Sequence, residues 1–140
     1  MSLTAQVLRI HEQVYKKTDG RVGHGVLGVP TLLLRTTGRR SGATRINALV
    51  YARDGENYLL VPSNGGADRH PAWLHNLRAN PAVQVQVGRE RHAGSAEVIE
   101  PADPSYERLW AIVNANNRDR YSAYQRNTSR PIPIVTIRPH

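Results

Sequence analysis

The chain has 140 residues and a mass of 15.6 kDa, enough for one domain with one core but not for two. It contains no cysteine, which excludes disulfides, thiolate-held zinc, iron–sulfur clusters and a cysteine nucleophile together. Its 19 basic residues against 11 acidic ones leave a formal charge of +8, and Lys16 and Lys17 are the only lysines among them. Guanidinium groups bind phosphate and carboxylate through paired hydrogen bonds, so an arginine-rich surface suits nucleic acid, anionic lipid or an anionic cofactor. A merely solvated surface explains the charge equally well. No apolar run reaches the roughly 20 residues of a membrane span and the first residues lack a secretory apolar stretch, so a cytoplasmic protein is expected.

Over residues 4–17, Val7, Leu8, Ile10, Val14 and Tyr15 recur at three- and four-residue spacing behind Thr4, which predicts an amphipathic helix. A loop carrying Gly23, Gly25, Gly28 and Pro30 separates it from the rest of the chain, and makes residues 1–20 a candidate lid on a single 1–140 domain. Short β-rich segments then run over Thr31–Thr36, Arg45–Ala52 and Tyr58–Pro62, with Asp54-Gly55 as a hairpin signal between the last two. A helix is predicted over 71–79, with Pro71 in the first helical position, Trp73, Leu74 and Leu77 on one face, and Asn80-Pro81 as the stop. In Ala82–Val87 the valines alternate with Gln84 and Gln86, the pattern of a half-buried strand, and Gly88 turns it into a partner over 92–99. A second helix opens at Asp103 or Pro104 and carries Leu109, Trp110, Ile112 and Val113; a polar stretch leads to Tyr121 and Tyr124; Ile132–Ile137 closes the chain as a strand. About six strands with flanking helices predict a mainly β fold, a small antiparallel barrel with α additions.

Two loops offer chemistry. Gly38-Arg39-Arg40-Ser41-Gly42 lies between predicted strands and combines backbone freedom with donors for phosphate or carboxylate oxygens, although a solvated turn would have the same composition. Ser63-Asn64-Gly65-Gly66 leads toward the 71–79 helix, where unpaired amides favour negative charge. That loop has neither the Walker lysine nor GxGxxG spacing. His70 and His75 are five residues apart rather than four and no HExxH set exists, so no metal is expected. Ser63 lacks a GxSxG setting and no carboxylate pair presents itself for acid–base work, which turns the reading from hydrolysis toward a cofactor. Trp73 and Trp110 read as core anchors. The basic residues are scattered with no interleaved aromatic motif, which places a nucleic-acid-binding module behind an enzyme.

The succession Thr37-Gly38-Arg39-Arg40-Ser41-Gly42, Arg45-Ile46-Asn47, Gly65-Gly66 with Pro71 and Trp73, Leu77-Arg78-Ala79-Asn80-Pro81, and Arg130-Pro131-Ile132-Pro133-Ile134 resembles the deazaflavin-dependent nitroreductases, the quinone reductases that use coenzyme F420. The likeness runs from about Thr31 to Pro139. It implies a split β-barrel of the FMN-binding type and hydride transfer from reduced F420 to a quinone, nitroaromatic or other activated acceptor. It also implies a partner for the arginines, since F420 carries a phosphodiester and an oligoglutamate tail. By motif, Arg39, Arg40 and Ser41 would hold phosphate and tail, and Arg45 and Asn47 would add polar contacts. Val61, Pro62, Ser63, Asn64, Gly65 and Gly66 would run along the deazaflavin, with Pro71, Ala72 and Trp73 as a wall. Ser63 is the candidate catalytic donor, and Val50, Tyr121 and Tyr124 would face the acceptor. Asn64 stands where relatives often have lysine, Val50 where an aromatic is common, and Arg118 where a nitroreductase has a further tyrosine. An FMN reductase on the same barrel is the nearest alternative. Arginine-rich faces would also suit docking on anionic lipid, and the oligomeric state is not set by these motifs.

Overall fold

A computed structural model of the protein describes residues 30–140; the helix expected over 4–17, its glycine loop and the lid role lie outside the described residues. Seven strands form one antiparallel sheet: β1 (Thr31–Thr37), β2 (Thr44–Val50), β3 (Ala52–Asp54), β4 (Asn57–Leu60), β5 (Ala82–Val87), β6 (Glu90–Ile99) and β7 (Ile134–Pro139). Among the described residues three α-helices, α1 (Ala72–Ala79), α2 (Tyr106–Asn116) and α3 (Arg120–Arg126), and a single 3-10 turn (Asn64–Gly66) accompany them.

The strand order is β2-β1-β5-β6-β7-β4-β3, so consecutive β2 and β3 stand at opposite ends of the sheet with Tyr51 alone between them. The sheet must therefore curl until its ends meet, which makes a barrel split at that seam. Tyr51 leaves the ladder there: its N–H donates to Pro30 O at 3.1 Å and its carbonyl accepts from Asn116 Nδ2 at 2.9 Å. The run expected as one strand over 45–52 is thus two strands that serve opposite edges, and the count rises from about six to seven.

Two apolar clusters flank the wall made by β4 and β7. Leu60, Val135 and Ile137 point into the barrel with Leu32, Leu34 and Val85, where α1 plugs the interior with Trp73, Leu74 and Leu77. Leu59 and Ile134 point the other way, under Leu109 and Val113 of α2 and Tyr121 of α3. Burial on both faces is why these strands read as unbroken apolar runs rather than alternating ones.

Several boundaries shift for local reasons. Pro71 is extended (ψ 151°) and precedes α1 instead of opening it. Asp103 Oδ1 accepts from both Ser105 N and Ser105 Oγ, which builds a turn ahead of α2 and delays it to Tyr106. Pro131 and Pro133 have no N–H, so β7 begins at Ile134, opposite Ile99. Gln86 is fully buried rather than solvent-facing, because Arg35 donates to its carbonyl at 2.7 Å and its amide donates to Gly88 O at 2.9 Å.

At the β6–β7 crossing, a Cβ on Gly94 would lie 2.9 Å from Ile137 Cγ2 and 3.0 Å from Arg138 O. Gly94→Ala is expected to destabilise the protein by about 1–3 kcal/mol, the usual scale of overpacking, as read by urea denaturation.

Candidate functional site

The β1–β2 loop is closed by Gly38 N–H donating to Ala43 O (2.7 Å) and Gly42 N–H donating to Gly38 O (2.9 Å). Ser41 Oγ accepts from Ala43 N–H at 3.1 Å, which leaves its own hydrogen free to donate. Facing this loop across a groove of about 1270 Å³ are the 64–71 segment and the first turns of α1. Trp73 forms part of the groove lining while remaining 5% exposed, so one indole serves both the barrel core and the groove floor.

Four guanidinium groups, those of Arg39, Arg40, Arg45 and Arg69, line the groove with Asp68 as its single acid. Asp68 Oδ1 is taken by Thr128 Oγ1 at 2.6 Å. Among the described residues none of the four arginines has a carboxylate partner. His70 and His75 meet edge to face, 5.8 Å between centroids, and both are held below the ordinary imidazole range. Burial is the first cause for each, reinforced by Arg130 and Arg78 at His70 and by Arg39 and Arg78 at His75. The groove is therefore strongly cationic through its arginines, with neutral imidazoles beside them.

Of the expected contacts, Arg39, Arg40, Ser41, Arg45, Asn47, Asn64, Pro71, Ala72 and Trp73 line this groove together. Val61, Pro62 and Ser63 are buried and are not part of its lining. Gly66 has φ +86° and faces helix α3: a Cβ there would sit 2.8 Å from Tyr124 O, so its bareness admits the helix backbone. Gly65 lies in the same turn at φ +66°. Tyr121 is packed with Leu109, Val113 and Ile132, its phenol pushed well up by burial, and Tyr124 is half-buried edge to face with it at 6.3 Å. Val50 is the last rung of β2, opposite Thr31. These residues lie apart from the groove lining.

Two residues that organise the site were given no site role from sequence. Asn76, 6% exposed on the buried face of α1, accepts from Arg39 N–H at 3.1 Å and donates to Thr36 Oγ1 at 3.4 Å, tying the arginine loop to the helix. An amide among Trp73, Leu74 and Leu77 was the available signal. Arg130, from the Arg-Pro-Ile-Pro-Ile ending, donates to Pro62 O, Ser63 O and Ala67 O and so pins the opposite wall. Its own loop is held in turn by Gln125, which donates to Arg130 O at 2.8 Å and accepts from Ile132 N at 2.9 Å.

Asn76→Ala leaves the Arg39 amide without its acceptor. The variant is expected to lose about 1–3 kcal/mol of stability by denaturant titration.

A sequence model for F420H(2)-dependent quinone reductases matches residues 7–139. The F420H(2)-dependent quinone reductase Rv1261c of Mycobacterium tuberculosis is 51% identical over 133 residues, 94% of this chain and 89% of that protein. Among solved structures, an F420-H2 dependent reductase (FDR-A) superposes with a TM-score of 0.69 at 33% identity, over 78% of this chain and 94% of its own. A second, described as a domain-swapped dimer, gives 0.71 at 30% identity over 98% of this chain and 100% of its own. The haem storage protein HutZ of Vibrio cholerae, at 15% identity and a TM-score of 0.62 over 89% of this chain and 88% of its own, shares the fold. With a split barrel, a cationic groove and a family match over nearly its whole length, the chain belongs to the F420H(2)-dependent quinone reductase family.

Proposed function

We propose that this protein transfers a hydride from reduced coenzyme F420 to a quinone, with the cofactor lying in the groove between the β1–β2 loop and α1. The observation that carries this reading is the set of four arginines on one groove without carboxylate partners among the described residues. Their chemistry fits the group: a phosphodiester and a chain of glutamates supply the anions that paired guanidinium bonds favour, and the Trp73 floor suits a flat ring.

Bound in its reduced form, the deazaflavin supplies the hydride, two electrons with one hydrogen nucleus, so the protein's work is placement and electrostatics. Arg39 and Arg40 would hold phosphate and tail, with Arg39 set in place through Asn76. Arg45 and Asn47, two residues apart and so on one face of β2, would add contacts beyond them. Pro71 and Trp73 would wall the ring and exclude water from that side. The 63–66 turn, held by Arg130, would offer hydrogen-bond donors where negative charge develops, and the Ser63 hydroxyl is the proposed donor to a reacting oxygen. Val50, Tyr121 and Tyr124 would then bear on the acceptor through the shape of the wall rather than through the arginine groove.

Two variants separate binding from turnover. Arg40→Ala is expected to weaken F420 binding by about 1.5–3 kcal/mol in calorimetry, the scale of a hydrogen bond between charged groups. Ser63→Ala is expected to lower maximal turnover more than cofactor affinity. Unchanged affinity in the first would remove Arg40 from the site; an unchanged maximal rate in the second would remove Ser63 from the reaction.

A further inference from the structure

Arg130 does more than pin backbone. Its Nε donates to Ala67 O at 3.0 Å and its Nη2 to Ser63 O at 2.8 Å, while Nη1 meets Pro62 O at 3.3 Å and Nδ1 of His70 at 2.9 Å. A guanidinium carries five donors and no acceptor, and it keeps its proton in proteins. Nδ1 of His70 is therefore the acceptor in that contact and carries no hydrogen. A neutral imidazole has one N–H, so that hydrogen sits on Nε2.

We propose that Arg130 locks His70 as the neutral Nε2–H tautomer, and that this N–H is a hydrogen-bond donor to a carbonyl-type oxygen of a ligand in the groove. His70 is then a specificity-determining residue and Arg130 its positioning residue. The proposal rests on the hydride-transfer reading above for the nature of the ligand. The tautomer rests on this structure's geometry alone.

Three features support the assignment. His70 is half-buried and lines the groove, so its ring borders both the arginine clamp behind and the ligand space in front. The groups around it keep it uncharged: burial, Arg130, Arg78 and His75 all disfavour the imidazolium, against Glu100 alone. The neighbouring loop charges are Arg69 and Asp68, the latter engaged by Thr128. A neutral imidazole donates a hydrogen bond without surrendering a proton, which suits polarising an oxygen while a hydride arrives. Protonating Nδ1 would aim a hydrogen at the guanidinium, so acidification below the ordinary histidine range breaks the lock. Because the folded protein resists that proton more than the unfolded chain does, stability falls as pH drops through the same window.

The test is a long-range proton–nitrogen correlation spectrum of ligand-free protein labelled with 15N histidine, His70 being assigned by the signals missing from His70→Gln. The expected pattern is a protonated Nε2 and a bare, hydrogen-bonded Nδ1 at neutral pH; an Nδ1–H or mixed tautomer overturns the proposal. In Arg130→Lys, whose ammonium cannot reach four acceptors in one plane, the ring is expected to become a tautomer mixture with an upward-shifted titration. An unchanged ring there removes Arg130 from the role. Oxidised F420 and then a soluble quinone are added in sequence, with cofactor fluorescence as an independent reading of binding. An Nε2–H shift on the first addition places the accepting oxygen on the cofactor, and a shift only on the second places it on the quinone. No shift with fluorescence showing F420 bound overturns the donor role. If F420 does not bind, the functional reading falls and the donor role with it, while the spectrum of the free protein still decides the tautomer. In kinetics, His70→Phe is expected to raise the Kd of F420 or the KM of the quinone by about three- to tenfold, and His70→Gln, whose amide N–H can take the Nε2 place, to recover most of it.

Discussion

Like charges gathered along one groove repel each other, and the repulsion is tolerated only where solvent screens it or a bound anion answers it. Among the described residues four arginines line the groove against one acid, Asp68, which accepts from Thr128, and none of the four is paired with a carboxylate. The lining therefore keeps, among the described residues, an excess of positive charge, which suits an anionic ligand. A ligand that carries several negative charges in a row gains most from such a lining, because each guanidinium it pairs also relieves the others.

Holding that arrangement is the work of the fold. Curling a seven-stranded sheet until β2 and β3 meet at Tyr51 brings the β1–β2 loop alongside α1, which plugs the barrel with Trp73, Leu74 and Leu77. Each wall of the groove is tied to a distant part of the chain by a polar side chain. Asn76 reaches from the buried face of α1 to the backbone of Arg39, and Arg130 reaches from the segment before β7 to the carbonyls of the 62–67 loop. The groove is therefore pre-shaped, which limits the ordering cost when a long flexible anion binds. The bare α-carbon of Gly66 belongs to the same design, since it lets helix α3 press its backbone onto the loop that Arg130 secures.

Much of this was legible in the sequence. Period-two and apolar patterns located the strand-forming segments, and the Gly-Arg-Arg-Ser-Gly and Gly-Gly loops identified the two segments that face each other. The resemblance in the motif order led to the family that the sequence match over 7–139 bears out. What escaped were features that depend on contacts between distant segments. The break at Tyr51 comes from barrel closure, which no local pattern encodes. Gln86 looked solvent-facing because alternation reports one covered face, and Arg35 lies 51 residues away. The roles of Asn76 and of Arg130, the latter known only as part of a motif, stayed hidden because their partners, Arg39 and the 62–70 loop, lie far off in the chain. The resemblance drew attention to Tyr121 as facing the acceptor, and the structure packs it with Leu109 and Val113 of α2.

The account rests on recognition of a polyanion by the arginine groove. Its most direct measurement compares, by calorimetry at low and high salt, the affinity for oxidised F420 with that for the same deazaflavin stripped of its phosphodiester and glutamates. The account predicts at least roughly tenfold weaker binding of the stripped ring at low salt, with the gap narrowing as salt rises. Equal affinity for the two at every salt concentration would contradict it.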